Sequence, residues 1–213
     1  MTLVSASLLS CKENLESITK EFNNLDIDLI HLDIMDGIFV PYTSFTDEEV
    51  NTIVNNTNKP LDVHLMVKDL EEYIDKYSKL NPMFITIHYE AITDKKIINK
   101  IKELGIKVGI SIKPNTDVEE IYDLLPFIDL VLIMSVEPGR GGQEFITNSL
   151  DKIEKLNKKI IEENLNVLIS VDGGINNNTS KECINSGVDI LVIGSALVNS
   201  DNKKLFINSI KNN

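Results

Sequence analysis

The feature of this 213-residue chain that most constrains its fold is a regular alternation of short apolar runs with longer amphipathic segments. Eight runs have the composition of buried β-strands, and the run at 130–134 is apolar at every position. Such runs are typical of parallel strands that are covered by helices on one face and by a packed interior on the other. The predicted strands are residues 3–8, 28–34, 60–66, 83–88, 107–112, 130–134, 167–171 and 190–193.

The segments between these runs carry apolar residues at helical spacing, which predicts helices with one buried face. Three sequences of the type T-x-x-E, at 46–49, 116–119 and 179–182, predict capping boxes at helix N-termini. The apolar sets are Leu15, Ile18 and Phe22; Ile97, Ile98, Ile101 and Leu104; and Leu150, Ile153, Leu156 and Ile160.

Eight strand-and-helix units in 213 residues average about 27 residues each, which suits a compact (β/α)8 barrel of the α/β class, the TIM barrel. A doubly wound open sheet is the competing architecture. The barrel is favoured because eight units can be counted and because polar residues cluster where the strands end. No Pro- or Ser-rich linker interrupts the alternation, so a single domain over residues 1–213 is expected.

The net charge and the cysteine content of the chain argue against several classes of function. The formal net charge of −12 argues against a nucleic-acid-binding surface or an anionic-membrane surface. Cys11 and Cys183 are far apart and form no CxxC motif, as in a reduced intracellular protein. No apolar run reaches the ~20 residues of a membrane span, and Met1 is not followed by a basic leader. A cytoplasmic location is therefore expected.

Imidazoles and carboxylates stand at the ends of three predicted strands. His31 and Asp33 alternate along the second strand, so they share one face. His64 ends the third strand and Asp172 ends the seventh. If the four side chains converge at the barrel mouth, they form an N/O site for one divalent ion, with Zn²⁺ favoured and Fe²⁺, Mn²⁺ or Co²⁺ as alternatives. A role in supporting the site, or as a core residue, is expected for His88 at the end of the fourth strand.

Glycine-bearing turns follow the last three predicted strands, where barrel enzymes commonly hold a phosphate group. Glycine lets backbone amides approach a ligand closely, and an acidic chain needs such local devices to hold an anion. The residues of these turns are Gly139, Gly141, Gly142, Gly173, Gly174, Gly194 and Ser195.

Other candidate residues surround the predicted site. Ser7, near the end of the first strand, is expected to form a hydrogen bond with a substrate oxygen. Met35, Met66 and Met134 end three strands and are either an apolar cap over the site or ordinary core residues. Arg140 is the only arginine, and it either contacts phosphate or carries an outward-facing charge.

These segments, taken together, resemble the ribulose-phosphate 3-epimerase family in the family's own order along the chain. The matching stretches include Ser7-Leu8-Leu9-Ser10, His31-Leu32-Asp33-Ile34-Met35-Asp36-Gly37, Asp62-Val63-His64-Leu65-Met66, Pro138-Gly139 with Gly141-Gly142-Gln143, Val171-Asp172-Gly173-Gly174 and Gly194-Ser195-Ala196. The resemblance implies a (β/α)8 barrel of the ribulose-phosphate-binding type that binds one divalent metal ion. It also implies the interconversion of D-ribulose 5-phosphate and D-xylulose 5-phosphate in the pentose phosphate pathway.

The resemblance assigns roles to the candidate residues. His31, Asp33, His64 and Asp172 would be the metal ligands, and Asp33 and Asp172 would also be the acid and base. Ser7, His64 and the three methionines would contact the substrate, and the seven turn residues would bind its phosphate. A homo-oligomer, as a dimer or a hexamer, is implied as well.

Two other functions stay open at this point. A related epimerase for D-allulose 6-phosphate would use the same metal and the same two carboxylates. A non-catalytic phosphate-binding barrel would keep the glycine turns without needing either aspartate.

Overall fold

The computed structural model describes residues 2–212, and its strands form a closed parallel barrel. Each strand pairs with its two sequence neighbours, and β1 pairs with β8 to complete the ring. Among residues 2–212 the strands are β1 (Leu3–Ser7), β2 (Leu29–Met35), β3 (Leu61–Met66), β4 (Phe84–His88), β5 (Lys107–Ile112), β6 (Leu130–Met134), β7 (Leu168–Asp172) and β8 (Ile190–Ile193). The TIM-barrel prediction is confirmed, and the strand limits differ from the predicted ones by at most one residue at each end.

Helices follow most strands and form the outer layer. They are α1 (Leu15–Phe22), α2 (Asp47–Asn56), α3 (Leu70–Tyr77), α4 (Lys96–Glu103), α5 (Ser149–Glu162), α6 (Thr179–Ser186), α7 (Ser195–Val198) and α8 (Lys203–Lys211). The connection from β5 to β6 is instead a 3₁₀ segment, Val118–Phe127, which contains Pro126. No helix within residues 2–212 has the length and hydropathy needed to cross a bilayer. Residues 1 and 213, at the two ends of the predicted domain, lie outside the described residues, and the single-domain assignment stays a prediction.

One of the three predicted capping boxes is confirmed. At α2, the Thr46 hydroxyl accepts from the Glu49 N–H, and the Glu49 carboxylate accepts from the Thr46 N–H. The prediction at 116–119 is wrong by one residue, because Asp117 is the N-cap and its N–H donates to Glu120.

The prediction at 179–182 is also wrong. Thr179 is already the first residue of α6, and Asn178 precedes it as the N-cap. The Thr179 hydroxyl instead accepts from the Asn176 N–H and donates to the Gly174 carbonyl, so it ties the helix start to the turn after β7.

The strand residues alternate between two apolar clusters. Outward-facing residues such as Ile30, Leu32 and Ile34 pack with the helices in the main core. A separate cluster inside the barrel contains no helix residue and includes Leu29, Phe84, Leu130 and Ile190 near the starts of their strands. The interior is therefore apolar at the N-terminal ends of the strands, whereas towards their C-terminal ends the polar residues His31, Asp33, His64 and His88 are buried beside apolar residues such as Met134 and Val192.

Both cysteines are free and buried in the main core, Cys11 before α1 and Cys183 on α6. Burial raises the pKa of the Cys11 thiol to about 11 and that of the Cys183 thiol to about 12. Since the thiolate is the reactive form, neither residue is a nucleophile in the folded protein.

We expect both thiols to resist modification by a chromogenic disulfide reagent at pH 8 until the protein unfolds. The guanidinium-unfolded protein provides the control and should release two equivalents of chromophore. Fast stoichiometric labelling of the native protein would contradict the burial described here.

Candidate active site

Three neighbouring strands bring the central residues of the site together. The register of β2 and β3 places Asp33 opposite His64, and that of β1 and β2 places Ser7 opposite His31. Asp33 and His31 point to the same side of β2 because side chains alternate along a strand. This geometry follows from the backbone pairing alone and needs no special loop.

Asp33 is the centre of the polar cluster. Its Oδ2 accepts from the Ser7 hydroxyl at 2.8 Å, and its Oδ1 lies 3.3 Å from both His31 Nε2 and His64 Nδ1. One ligand atom from each of His31, Asp33, His64 and Asp172 lies within 4.8 Å of the others. Asp172 is partly buried, whereas the other three are buried.

One imidazole nitrogen of the cluster has no hydrogen-bond partner and is suited to bind a metal ion. His31 Nε2 is buried and makes no hydrogen bond within the described part of the chain, because Asp33 Oδ1 lies outside hydrogen-bond geometry. Two imidazole nitrogens and two carboxylates are also a donor set that Zn²⁺ and other first-row divalent ions accept. The four residues could therefore hold one such ion.

The two aspartates have opposite electrostatic environments. Burial raises the pKa of Asp172, and the Asp33 charge adds to this effect, so that the Asp172 pKa is about 7. Burial acts in the same direction on Asp33, but His31 and His64 outweigh it and hold the Asp33 pKa well below its ordinary value. Without a metal ion, Asp33 is ionised near neutral pH while Asp172 retains its proton for part of the time.

The histidines also differ in their tendency to be charged. Burial disfavours the charged form of His31, yet Asp33 and Asp62 outweigh it and raise the His31 pKa well above its ordinary value. Burial lowers the pKa of His64, and it lowers that of His88 to about 4.

Two residues that the sequence analysis did not single out lie directly behind the cluster. Asp62 Oδ2 is 2.7 Å from His31 Nδ1 and accepts from the Ser5 hydroxyl at 2.8 Å. Glu90 Oε2 is 3.1 Å from His88 Nδ1. Asp62 could have been found by alternation, since it precedes His64 by two residues on β3. Glu90 lies beyond its strand, where alternation gives no information.

A cleft of about 550 Å³, measured out to its open mouth, lies above the cluster. Every predicted substrate-contacting residue except His64 lines this cleft, and so do both aspartates. The predicted residues along it are Ser7, Met35, Met66, Met134, Gly139, Gly141, Gly142, Gly173, Gly174, Gly194 and Ser195. Arg140 is exposed at the rim and also lines the cleft.

Close contact between the turns after β6 and β7 shapes one side of the cleft. Gly174 has a φ of +65°, and a Cβ there would lie 2.5 Å from the Phe145 backbone nitrogen. Gly142 has a similar φ of +73°, but a Cβ there would meet nothing within 4 Å. Gly142 and Gly174 therefore share the left-handed backbone conformation, but only Gly174 lacks room for a Cβ atom.

We therefore expect Gly174→Ala to lower the free energy of unfolding more than Gly142→Ala does. Gly142→Ala should cost only the left-handed strain of about 1–2 kcal/mol. Gly174→Ala adds a clash with backbone that a side-chain movement cannot relieve. Urea unfolding of both variants beside the wild type measures the difference, and equal losses would contradict the contact between the two turns.

Comparison with known proteins places the chain among sugar-phosphate enzymes. The family model described as the Ribulose-phosphate 3 epimerase family matches residues 3–198. Ribulose-phosphate 3-epimerase of Helicobacter pylori strain J99 is 35% identical over 212 residues, which cover 99% of this chain and 95% of that protein. The Bacillus subtilis protein of the same name is 36% identical over 214 residues, covering 99% of each.

Among solved structures, KGPDC from Streptococcus mutans matches with a TM-score of 0.72 at 14% identity, covering 100% of this chain and 96% of that chain. At that identity the likeness concerns the fold alone. The family model and the sequence relatives are far more specific than this likeness of fold. This chain belongs to the ribulose-phosphate 3-epimerase family.

Proposed function

We propose that this chain is an isomerase that interconverts D-ribulose 5-phosphate and D-xylulose 5-phosphate by a two-base mechanism. The observation that carries the proposal is the pair of carboxylates, Asp33 on β2 and Asp172 on β7, that line one cleft. Their pKa values are shifted in opposite directions, which is the arrangement that a base and an acid need.

Epimerisation at C3 requires the removal of a proton from one face and its return to the other. In one direction, ionised Asp33 takes the C3 proton, the C–H electron pair forms a C2–C3 double bond, and the π pair of the C2 carbonyl moves onto its oxygen to give an enediolate. Asp172 then donates its proton to the opposite face of C3. Asp33 ends protonated and Asp172 ionised, so the opposite epimer reacts with the two roles exchanged.

The hydrogen bond from Ser7 helps to keep Asp33 competent as a base. The hydroxyl donates to Oδ2 at 2.8 Å and so stabilises the ionised carboxylate, while it also fixes the orientation of the group. Hydrogen bonds to a charged acceptor are among the stronger ones in proteins. Ser7 also lines the cleft, where its oxygen is available to a substrate hydroxyl.

His31, Asp33, His64 and Asp172 would hold a divalent ion, which we take to be Zn²⁺. When bound, such an ion stabilises negative charge on the substrate oxygens. The unpartnered Nε2 of His31 and the mixed N/O donor set support this assignment.

The glycine turns after β6, β7 and β8 would bind the phosphate at the other end of the cleft. In a chain of net charge −12, backbone N–H groups avoid the need for a cluster of basic side chains. Phosphate binding would hold C3 between the two carboxylates and so use remote binding energy for orientation. Met35, Met66 and Met134 would exclude water from the reacting centre. A cytoplasmic homo-oligomer, as a dimer or a hexamer, stays part of the proposal.

We expect Asp33→Asn and Asp172→Asn each to lower kcat for D-ribulose 5-phosphate by at least about 10²-fold, because each removes one proton-transfer group. Asp151→Asn, which changes an exposed carboxylate at the start of α5, is the control and should leave kcat unchanged. Circular dichroism checks that each variant is folded. More than a tenth of wild-type activity in either site variant would refute the two-base mechanism.

The substrate is tested by turnover before and after chelation, with divalent ions then added back. D-Allulose 6-phosphate serves as the comparison substrate under the same conditions. Activity on the pentose phosphate that chelation removes and metal restores is expected. Greater turnover of the hexose phosphate would move the assignment to the related epimerase.

We also expect metal binding to release protons and metal affinity to rise with pH. His31, whose pKa is raised well above its ordinary value, must lose its second proton to become a ligand. Each displaced proton contributes up to about a tenfold increase in apparent affinity per pH unit below the pKa of its group. Titration calorimetry in two buffers of different ionisation enthalpy counts the protons, and a pH-independent affinity between pH 6 and 7 would contradict the proposal.

A further inference from the structure

His64 is the first of three side chains that lead in a line away from the cleft. Its Nε2 lies 3.0 Å from His88 Nε2, and His88 Nδ1 lies 3.1 Å from Glu90 Oε2. Both imidazoles are fully buried, with 0% of their surface exposed. Neither His88 nor Glu90 has a part in the proton transfers described above.

Glu90 is held as a hydrogen-bond acceptor. Its Oε1 accepts from the Lys113 N–H at 2.8 Å and from the Thr116 hydroxyl. The Lys152 ammonium donates to the carbonyls around this turn, including that of Pro114 at 2.6 Å. Burial raises the Glu90 pKa, but hydrogen bonds from His88, from the Thr116 hydroxyl and from the Lys113 N–H outweigh it and lower the pKa to about 2. An ionised carboxylate can only accept, so His88 Nδ1 must donate to it.

The line from Asp33 to Glu90 has three contacts but only two protons to occupy them, so one contact has no proton between its two atoms. Three contacts need a proton between their atoms: Asp33 with His64 at 3.3 Å, His64 with His88 at 3.0 Å, and His88 with Glu90 at 3.1 Å. Two neutral imidazoles carry two protons in total. A third proton would place a cation on a fully buried imidazole pair, which is costly. The two shorter contacts therefore take the protons, and His64 Nδ1 faces Asp33 as a bare lone pair.

His31 reaches the same condition by a shorter route once it has lost its second proton. Its Nδ1 lies 2.7 Å from Asp62 Oδ2, and its Nε2 has no hydrogen-bond partner within residues 2–212. One histidine thus presents Nε2 and the other presents Nδ1 to the same Asp33 oxygen, each at 3.3 Å. Two different supporting carboxylates, Asp62 behind His31 and Glu90 behind His88, therefore leave one nitrogen of each of His31 and His64 directed at Asp33.

We propose that Glu90 and His88 are positioning residues that keep the proton of His64 on Nε2 and so leave Nδ1 free as a metal ligand. The inference rests on the proposed metal-dependent function, since it assigns these residues a purpose towards the ion. Carboxylates and other acceptors behind a ligating histidine typically change metal affinity by 10–100-fold.

The first test determines which nitrogen of each imidazole carries a proton. Because the chain contains three histidines, a long-range ¹H–¹⁵N spectrum of ¹⁵N-histidine protein shows three imidazoles, which single variants assign. At pH 8, with and without Zn²⁺, His64 should be protonated at Nε2 and His88 at Nδ1. A His64 that carries its proton on Nδ1, or a doubly protonated His64, would overturn the inference.

The second test measures metal affinity by competition with a chromogenic chelator, again without reference to activity. His88→Leu removes the acceptor for His64 Nε2–H and should weaken Zn²⁺ binding by about 10–100-fold. His88→Gln keeps an acceptor at about the same distance along the side chain and should recover most of the loss.

Thr86→Val is the matched control for altered packing. Thr86 precedes His88 by two residues on β4, pairs with His64 across the sheet, and its buried hydroxyl has no hydrogen-bond partner in the described range 2–212. The Thr86→Val substitution should leave the Zn²⁺ affinity unchanged. Equal losses in His88→Leu and His88→Gln, or a similar loss in Thr86→Val, would assign the effect to packing and overturn the proposal.

Failure of this inference can be distinguished from failure of the proposed function. Chelation-sensitive epimerase activity in the wild type, together with an affinity that His88→Leu leaves unchanged, overturns only the role of His88 and Glu90. A wild-type protein that binds no divalent ion overturns the metal site itself and, with it, the purpose assigned to both residues.

Discussion

Closure of the parallel sheet is the constraint on which every other feature of this structure depends. Backbone hydrogen bonds fix the register from β1 to β8 and back to β1, so all strands end at the same rim of the barrel. Residues as distant in sequence as Asp33 and Asp172 therefore line one cleft without any long loop to bring them there. The same closure turns alternate residues of each strand inwards, where apolar side chains fill the barrel at the N-terminal ends of the strands and the reactive groups lie towards the C-terminal ends.

The polar half of the interior is a balance of buried charges rather than a set of independent residues. Asp33 is ionised because the His31 charge and the hydrogen bond from Ser7 stabilise the carboxylate, and the Asp33 charge in turn raises the pKa of Asp172. Asp62 and Glu90 add negative charge behind the histidines, although the whole chain already has an excess of 12 acidic groups. A cluster with so many carboxylates and an unpartnered imidazole nitrogen has a strong electrostatic preference for a bound cation.

Residues that face the polar cluster and residues that support the cluster from behind lie at different inward positions of the same strands. On β3, Asp62 supports His31 while His64, two residues later, faces the cluster. On β4, Phe84 belongs to the apolar interior and His88 contacts His64 from behind. The period of two along each strand explains this layering, since successive inward residues occupy successive levels of the barrel.

Apolar periodicity was enough to predict the eight strands and most of the helices between them, because it records which side of each element is buried, and the chain also carries the family's motifs in order. Strand alternation was enough to place His31 and Asp33 together, and to place Asp172 at the same rim. Periodicity and the T-x-x-E pattern did not identify the N-caps Asp117 and Asn178, because the backbone conformation decides at which residue each helix begins. The contact of Glu90 with His64 through His88 could not be predicted from the sequence, because it joins a turn to two strands and depends on distances of about 3 Å that no sequence spacing encodes.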